Sequence, residues 1–113
     1  EADHRENRRS EVAQFIQELA VYKLDLRQLA AATPKHRQAR QRAFEAVQLL
    51  AASPDLARHV KAKKELPLKE MESQLNVSRK TIERQRRYII ALFIIVTGDY
   101  SYLSEYLPGG GTN

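Results

Sequence analysis

The chain contains no cysteine and no tryptophan, and three of its four glycines stand among its last five residues. Without cysteine, the chain can form neither a disulfide nor a metal site with thiolate ligands. A glycine-rich phosphate-binding loop is excluded too, because Gly98 is the only glycine outside the tail. The longest apolar run, residues 89–96, is far shorter than the roughly 20 residues that span a bilayer. With no visible signal peptide, these absences are compatible with a cytoplasmic protein and predict no direct membrane insertion.

The alternation of apolar and polar residues that marks half-buried strands is also absent, whereas apolar residues recur at helical spacing along most of the chain. We therefore predict an all-α domain of about five to seven helices. One domain is expected over residues 1–107, with a helical N-terminal part at 8–64 and a helix-turn-helix part at 65–107. A flexible tail is expected at 108–113. Since the first residue is Glu rather than Met, we expect the chain to be a segment of a longer protein.

Capping residues mark the predicted helix boundaries. The starts lie near Arg8 or Ser10, at Asp25, at Thr33-Pro34 and at Ser53-Pro54, and the last two pairs combine a cap with proline at the first helical position. The helix that follows Thr33-Pro34 is expected to end near Ala52. Gly98 should end the last long helix in a left-handed conformation, and Asp99 should cap a terminal helix over 100–107.

Apolar residues at helical spacing predict the buried faces. They are Val12, Phe15, Ile16 and Leu19; Leu26, Leu29 and Ala30; Ala39, Ala43, Val47 and Leu50; Leu56 and Val60; Leu68, Met71 and Leu75; and Ile82, Ile89, Phe93 and Val96. The run 89–96 is expected to be buried on most sides. In the terminal helix Tyr102 and Tyr106 pair at i, i+4, which favours packing against the core over a contact patch for a partner.

Residues 75–84 are typical of the turn and second helix of a helix-turn-helix, a motif that places its second helix in the DNA major groove. Asn76 tolerates the left-handed conformation that the tight turn requires. The Ser78 hydroxyl can accept a bond from a first-turn N–H, and Val77 and Ile82 have the spacing of a hydrophobic staple. Pro67 suits the first position of the preceding helix, although no good capping residue comes before it.

Positive charge is concentrated around this motif. Residues 58–88 hold ten Lys and Arg against four Asp and Glu, whereas the remaining residues hold nine against ten, within a net charge of +5. Lys80, Glu83, Arg84 and Arg87 recur at i, i+3, i+4 and i+7, opposite the apolar face. The pattern predicts a polyanion partner, DNA above all. The alternatives are a solvated helix face and an anionic membrane surface, and no aromatic-rich basic helix supports the latter.

Nothing in the chain resembles a catalytic or metal-binding constellation. The three histidines, His4, His36 and His59, lack metal-ligand spacing and have no carboxylate cluster beside them. We therefore expect no enzymatic activity, no metal and no cofactor.

Three strings together carry a family resemblance. Ser-Arg-Lys-Thr-Ile-Glu-Arg over residues 78–84 and Arg-Arg-Tyr-Ile-Ile-Ala-Leu over 86–92, preceded by Leu-Pro-Leu-Lys-Glu-Met-Glu over 66–72, resemble the C-terminal region of bacterial sigma-I factors of RNA polymerase. The resemblance is specific over about 65–107 and looser before that. Two positions depart from a general helix-turn-helix. Glu72 stands where a small residue packs between the two helices, which suggests an altered contact there, and Asn76 replaces the turn glycine.

The resemblance implies recognition of the promoter −35 element within an RNA polymerase holoenzyme. It also implies inhibition by the N-terminal cytoplasmic domain of a membrane-anchored anti-sigma-I factor. The residues that it assigns to the DNA groove are Arg79, Lys80, Glu83, Arg84 and Arg87. Ser78 and Thr81, at the helix N-terminus, are assigned to either phosphates or bases, and Lys63, Lys64 and Lys69 are assigned to the DNA backbone.

Two other readings stay open. In the first, the chain is a protein-interaction module. Its contact surface for an anti-sigma factor or polymerase is then either the apolar row Val12, Phe15, Ile16 and Leu19 or the apolar run 89–96, which contains Phe93. In the second, it is a free-standing regulator, and such proteins usually bind paired half-sites as dimers.

Overall fold

A computed structural model describes residues 4–108, which form seven α-helices and one short 3-10 turn. The helices are α1 His4–Val21, α2 Leu26–Ala32, α3 Arg37–Ala52, α4 Pro54–Lys63, α5 Leu68–Leu75, α6 Arg79–Arg84 and α7 Arg86–Thr97, and the 3-10 turn is Leu103–Tyr106. No strand occurs within the described range. The prediction of an all-α fold with about five to seven helices is confirmed. The tail predicted over 108–113 lies outside the described residues except for Pro108.

Helix α7 is the centre of the fold. Seven consecutive residues, 88–94, are buried in it, and the helix packs against α1, α2 and α3. Phe93, Ile89 and Ile90 are among the largest side chains that are fully removed from solvent. One continuous cluster of buried side chains extends from Phe15 to Leu107. The predicted burial of the apolar run is therefore confirmed, and the N-terminal helices share a core with the helix-turn-helix. Within residues 4–108 no helix has the length and apolarity needed to cross a membrane.

Two of the predicted helix starts are confirmed by their cap geometry. The Asp25 carboxylate accepts a hydrogen bond from the Gln28 backbone N–H at 2.8 Å, and the Gln28 side chain accepts from the Asp25 N–H at 3.0 Å. This reciprocal capping box starts α2. Ser53 caps α4 by accepting from the Leu56 N–H at 3.3 Å, with Pro54 at the first helical position. Both signals are local in sequence, which is why they could be recognised.

The predicted helix start at Thr33-Pro34 is wrong. Thr33 instead ends α2, where its hydroxyl donates to the Leu29 carbonyl at 2.8 Å. The Arg40 guanidinium then donates to the carbonyls of Pro34 and Lys35 at 3.0 and 2.9 Å. These bonds hold the link between α2 and α3 in a non-helical conformation, so α3 begins only at Arg37. The predicted start of α1 near Arg8 or Ser10 is also wrong, because α1 begins at His4.

Helix α2 buries less than its sequence predicts. Leu29 is half-buried and packs against the core, whereas Leu26 is 43% exposed and Ala30 is exposed. This seven-residue helix has no fully buried residue, and Leu29 is its one apolar residue that packs against the core cluster. The prediction that Leu26 and Ala30 face inward is wrong.

Gly98 ends α7, but not in the predicted left-handed conformation. Its φ of −103° and ψ of −170° are extended, and any residue can adopt them. A Cβ at this position would lie 2.7 Å from the Tyr100 ring and 2.8 Å from the Ile94 carbonyl oxygen. Glycine is therefore required by the close approach of Tyr100, which folds back onto the end of α7.

The C-terminal segment is held by α1 rather than by the predicted Asp99 cap. The Glu11 carboxylate accepts hydrogen bonds from the N–H groups of Tyr102 and Leu103, both at 2.9 Å, and from the Ser101 hydroxyl at 3.1 Å. Burial raises the pKa of the Glu11 carboxyl, but these bonds outweigh it and hold the pKa below its ordinary value. Tyr100 is buried and packs edge-on against Phe15, with ring centroids 6.0 Å apart. Tyr100 and Leu107 pack the terminal segment against the core as predicted, but the prediction is wrong for Tyr106, which is 70% exposed and contacts the Tyr102 ring instead.

Candidate nucleic-acid interface

Helices α5 and α6 are joined by the tight turn that the sequence predicts. Asn76 ends α5 in the left-handed region, with φ 54° and ψ 42°. Ser78 starts α6, and its Oγ accepts from the Thr81 backbone N–H at 3.2 Å. Pro67 stands one position before the predicted one: its φ and ψ of −78° and 80° are not helical, and it precedes the first residue of α5. No side chain caps that helix start, in agreement with the sequence.

Apolar side chains fix the two helices to the body of the protein. Met71 of α5 is fully buried and Ile82 of α6 is 2% exposed. The residues that flank them, Leu68, Leu75 and Val77, are half-buried and pack against the same core. The opposite face of α6 therefore faces outward, while Ile82 holds the helix against the core.

Glu72 does not lie between the two helices. Its side chain is 46% exposed, and its Oε1 lies 3.8 Å from Nε of Arg79, whose side chain is 50% exposed. An ion pair this exposed contributes little to stability, but it links the outer surfaces of α5 and α6. The larger Glu72 side chain therefore lies at the surface, where it places a carboxylate beside Arg79.

The structure exposes most of the residues that the sequence assigns to DNA. Those exposed are Ser78, Arg79, Lys80, Glu83, Arg84 and Arg87, together with Lys63 and Lys69. Thr81 is half-buried, and its hydroxyl lies 2.9 Å from that of Ser78, so the two hydroxyls already bond to each other. Their assignment to DNA contact stays a prediction.

The predicted row of Lys80, Glu83, Arg84 and Arg87 does not lie on one continuous helix. At Gln85, φ is −99° and ψ is 10°, and this residue both ends α6 and precedes α7. Arg87 therefore projects from the first turn of α7. It nevertheless lines one surface groove with Glu83, Arg84 and Arg86, beside Ala31 and Ala32 at the end of α2. The structure thus brings the basic residues on both sides of the break together.

The half-buried Lys64 side chain contacts other groups of the protein. It ends α4 in a left-handed conformation, with φ 58°, and its ammonium donates to the Lys61 carbonyl. The same ammonium lies 5.5 Å from the centroid of the Tyr22 ring, a cation–π distance. Arg86, which the sequence analysis did not assign, donates to the Lys64 carbonyl at 3.4 Å. Its position directly before Arg87 in the sequence is the signal from which its place at this surface could have been predicted.

The predicted partner surface is not exposed in this fold. Phe15, Leu19 and Phe93 are 6%, 0% and 0% exposed, because they form the contact between α1, α7 and the rest of the core. Only Ile16, at 41%, is accessible. The prediction that the α1 residues, or Phe93 in the apolar run, are exposed to a partner is therefore wrong for Phe15, Leu19 and Phe93.

Comparison with known proteins finds matches over most of the chain. RNA polymerase sigma factor SigI of Bacillus subtilis (strain 168) is 47% identical over 104 residues, which are 92% of this chain and 41% of that protein. The SigI of Bacillus anthracis is 40% identical over 104 residues, 92% of this chain and 43% of the relative. SigI7 of Acetivibrio thermocellus is 37% identical over 102 residues, 90% and 43% respectively. The chain thus spans about two-fifths of the length of these relatives. No family model matches the chain.

Proposed function

The chain is a homologue of the bacterial sigma-I factors of RNA polymerase, and we propose that it is the part of such a factor that recognises the promoter −35 element. The observation that carries the proposal is the outer face of α6. Arg79, Lys80 and Arg84 stand exposed on a short helix whose other side is anchored by Ile82. A helix of this kind fits the width of the major groove.

In the proposed complex, α6 enters the groove and its side chains read base edges. Arg84 and Lys80 donate to guanine, and Glu83 accepts from the cytosine amino group. Lys63, Lys69 and Arg87 contact phosphates and set the register of the protein on the duplex. Arg79 interacts with Glu72 as well as with the DNA, so it contributes less than Arg84 to base reading.

The partners in this proposal are promoter DNA and core RNA polymerase. As part of a sigma factor, the chain directs the polymerase to its promoters and performs no catalysis of its own. Because the polymerase also holds the DNA, modest affinity of the isolated segment is sufficient. The site of action is the cytoplasm.

Selection of bound duplexes from a randomised pool tests this proposal. We expect one short asymmetric site, bound by a monomer. Arg84→Ala should bind the selected site more weakly. Its matched control is Arg58→Ala, because Arg58 is exposed on α4, is paired with Asp55 and does not line the groove that contains Arg84. Enrichment of paired half-sites bound by a dimer would favour a free-standing regulator. Failure to enrich any sequence would contradict base recognition.

Inhibition by the cytoplasmic domain of an anti-sigma-I factor is a second element of the proposal, and it is supported by the sequence resemblance. A rigid partner contacts exposed residues such as Ile16 or the α6 face, since Phe15, Leu19 and Phe93 are buried. Titration with that domain, repeated with the selected duplex present, tests it. Competition between the two would identify a shared face at α6. Simultaneous binding would direct the partner to another surface, and no binding would contradict this element.

A further inference from the structure

A second basic cleft lies beside the helix-turn-helix, formed by the turn between α1 and α2, the end of α4 and the start of α7. Its volume is about 530 Å³. Five of the nine residues that line it are basic: Lys23, Lys63, Lys64, Arg86 and Arg87. No acidic residue is among the nine. Such a concentration of positive charge in one concave surface attracts an anion.

Four of the five cations form two pairs with different roles, and the fifth, Arg87, is exposed and also lines the neighbouring groove. Lys64 and Arg86 are tied to the frame, the first by the Tyr22 ring and the second by the Lys64 carbonyl. Lys23 and Lys63 are exposed, and among residues 4–108 no ion pair engages either of them. Two framework cations therefore build the wall of the cleft, and two lysines remain available to a ligand.

Lys23 stands on a rigid turn and in an unusual conformation. The Leu24 N–H donates to the Leu19 carbonyl and the Lys23 N–H to the Ala20 carbonyl, both at 2.9 Å, which is the Schellman pattern. Lys23 has φ 64°, the left-handed conformation that glycine adopts most readily at this position. Lys64 occupies the same kind of position, but its ammonium is used inside the protein. Within residues 4–108, no comparable contact engages the exposed ammonium of Lys23.

The cleft is continuous with the DNA-reading face. Arg86 and Arg87 line both this cleft and the neighbouring groove that contains Glu83 and Arg84. A basic path thus runs from α6 over the start of α7 to the turn between α1 and α2. A small anion would need only the cleft, whereas a polyanion on α6 meets the whole path.

We propose that this cleft holds a backbone phosphate of the DNA whose bases α6 reads, and that Lys23 makes this contact together with Lys63. The proposal rests on the function proposed above and adds the N-terminal helices to the DNA interface. It assigns to Lys23 a role in affinity without a role in base choice.

The salt dependence of DNA binding tests the proposal. Log affinity falls with log salt by about 0.9 for each phosphate contact on B-DNA. Because the two lysines share one phosphate, we expect Lys23→Gln and Lys63→Gln each to reduce this slope by up to about that amount, equally on the selected duplex and on a scrambled one. Lys35→Gln is the control, because Lys35 is exposed in the link between α2 and α3 and does not line the cleft.

A further variant and a chemical readout separate contact from folding. Lys23→Gly removes the charge and suits the positive φ, so its thermal stability should be no lower than that of the unchanged protein while its salt slope falls in the same way. Reductive methylation should modify Lys23 and Lys63 less when the scrambled duplex is bound, and Lys35 equally with and without DNA.

The outcomes are distinguishable. An unchanged slope for Lys23→Gln in a chain that still binds the selected duplex would overturn the phosphate contact and leave base recognition standing. A loss confined to the selected duplex would also overturn it, because it would make Lys23 a base contact. If the unchanged chain bound no duplex at all, the proposed function would fail and this inference with it.

Discussion

Helices α6 and α7 follow each other with one residue between them, yet they use their side chains in opposite ways. In α6 only Ile82 is buried, and its charged residues face outward. In α7 seven successive residues are buried, on every side of the helix. The break at Gln85 separates a short helix with exposed charged side chains from a helix that forms the centre of the core. Stability and DNA recognition should therefore be separable by single substitutions a few residues apart.

The largest effect is expected from the α7 side of this comparison. Phe93→Ala removes a fully buried ring from the centre of the core and should destabilise folding by about 3–5 kcal/mol. Denaturant unfolding measures this loss. Leu26→Ala is the control, because Leu26 is also a large apolar residue but is 43% exposed. A similar loss from both variants would show that the core does not centre on α7.

The α6 side should respond in the opposite way. Arg84→Ala should cost about 1–3 kcal/mol of binding to the selected duplex and relax its sequence preference, because a bidentate contact to a base is lost. The free energy of unfolding should be almost unchanged, since Arg84 is exposed. Binding titrations on selected and scrambled duplexes, beside denaturant unfolding, make the measurement. Equal losses on the two duplexes would contradict a base-reading role.

The helix boundaries show how much of the structure can be predicted from the sequence. Asp25, Ser53, Asn76 and Ser78 act through neighbours three or fewer residues away, or through their own backbone angles, so their roles could be predicted. Thr33 misled because either a helix start or a helix end suits its hydroxyl, and the choice depends on Arg40 holding the following link. Local chemistry cannot make that choice.

The same limit applies to the candidate site. Lys63 and Lys64 are equivalent in the sequence, but only Lys64 meets the ring of Tyr22, which directly follows α1 and is far away in the chain. Gly98 is likewise determined by the approach of the Tyr100 ring and not by its own φ. The identity of the basic face follows from composition and spacing, whereas the availability of each cation depends on tertiary contacts.

Ser78 is expected to contribute both to stability and to DNA binding, and two substitutions should separate these contributions. Ser78→Ala removes the cap of α6 and should destabilise the protein by about 1 kcal/mol. Ser78→Asp keeps a capping oxygen and should leave stability nearly intact, but its negative charge faces the phosphates and should weaken binding to every duplex. Unfolding and binding measured on both variants test the distinction. A stability loss for Ser78→Asp as large as that for Ser78→Ala would exclude the capping role.

Lys69 should give a smaller and less selective effect than Arg84. It is exposed on the first turns of α5, and Lys69→Ala should weaken the selected and scrambled duplexes alike by removing one phosphate contact. The slope of log affinity against log salt should fall by about 0.9. A change in sequence preference would instead indicate a base contact from α5.

The smallest effect should come from the far end of α7, where Glu11 holds the segment that follows Gly98. Because its hydrogen bonds keep the pKa of Glu11 below the ordinary 4.5, the ionised form is favoured by folding. The contribution is complete above the ordinary pKa and is lost as pH falls through the lower pKa of the folded state. Glu11→Gln, a neutral isostere, should thus lower the thermal midpoint modestly near neutral pH and converge with the unchanged protein in acid. Thermal unfolding across this pH range makes the test, with Glu6→Gln, exposed on the same helix, as the control. A difference between Glu11→Gln and the unchanged protein that persists in acid would mean that side-chain shape, and not the ionised carboxylate, fixes the C-terminal segment on α1.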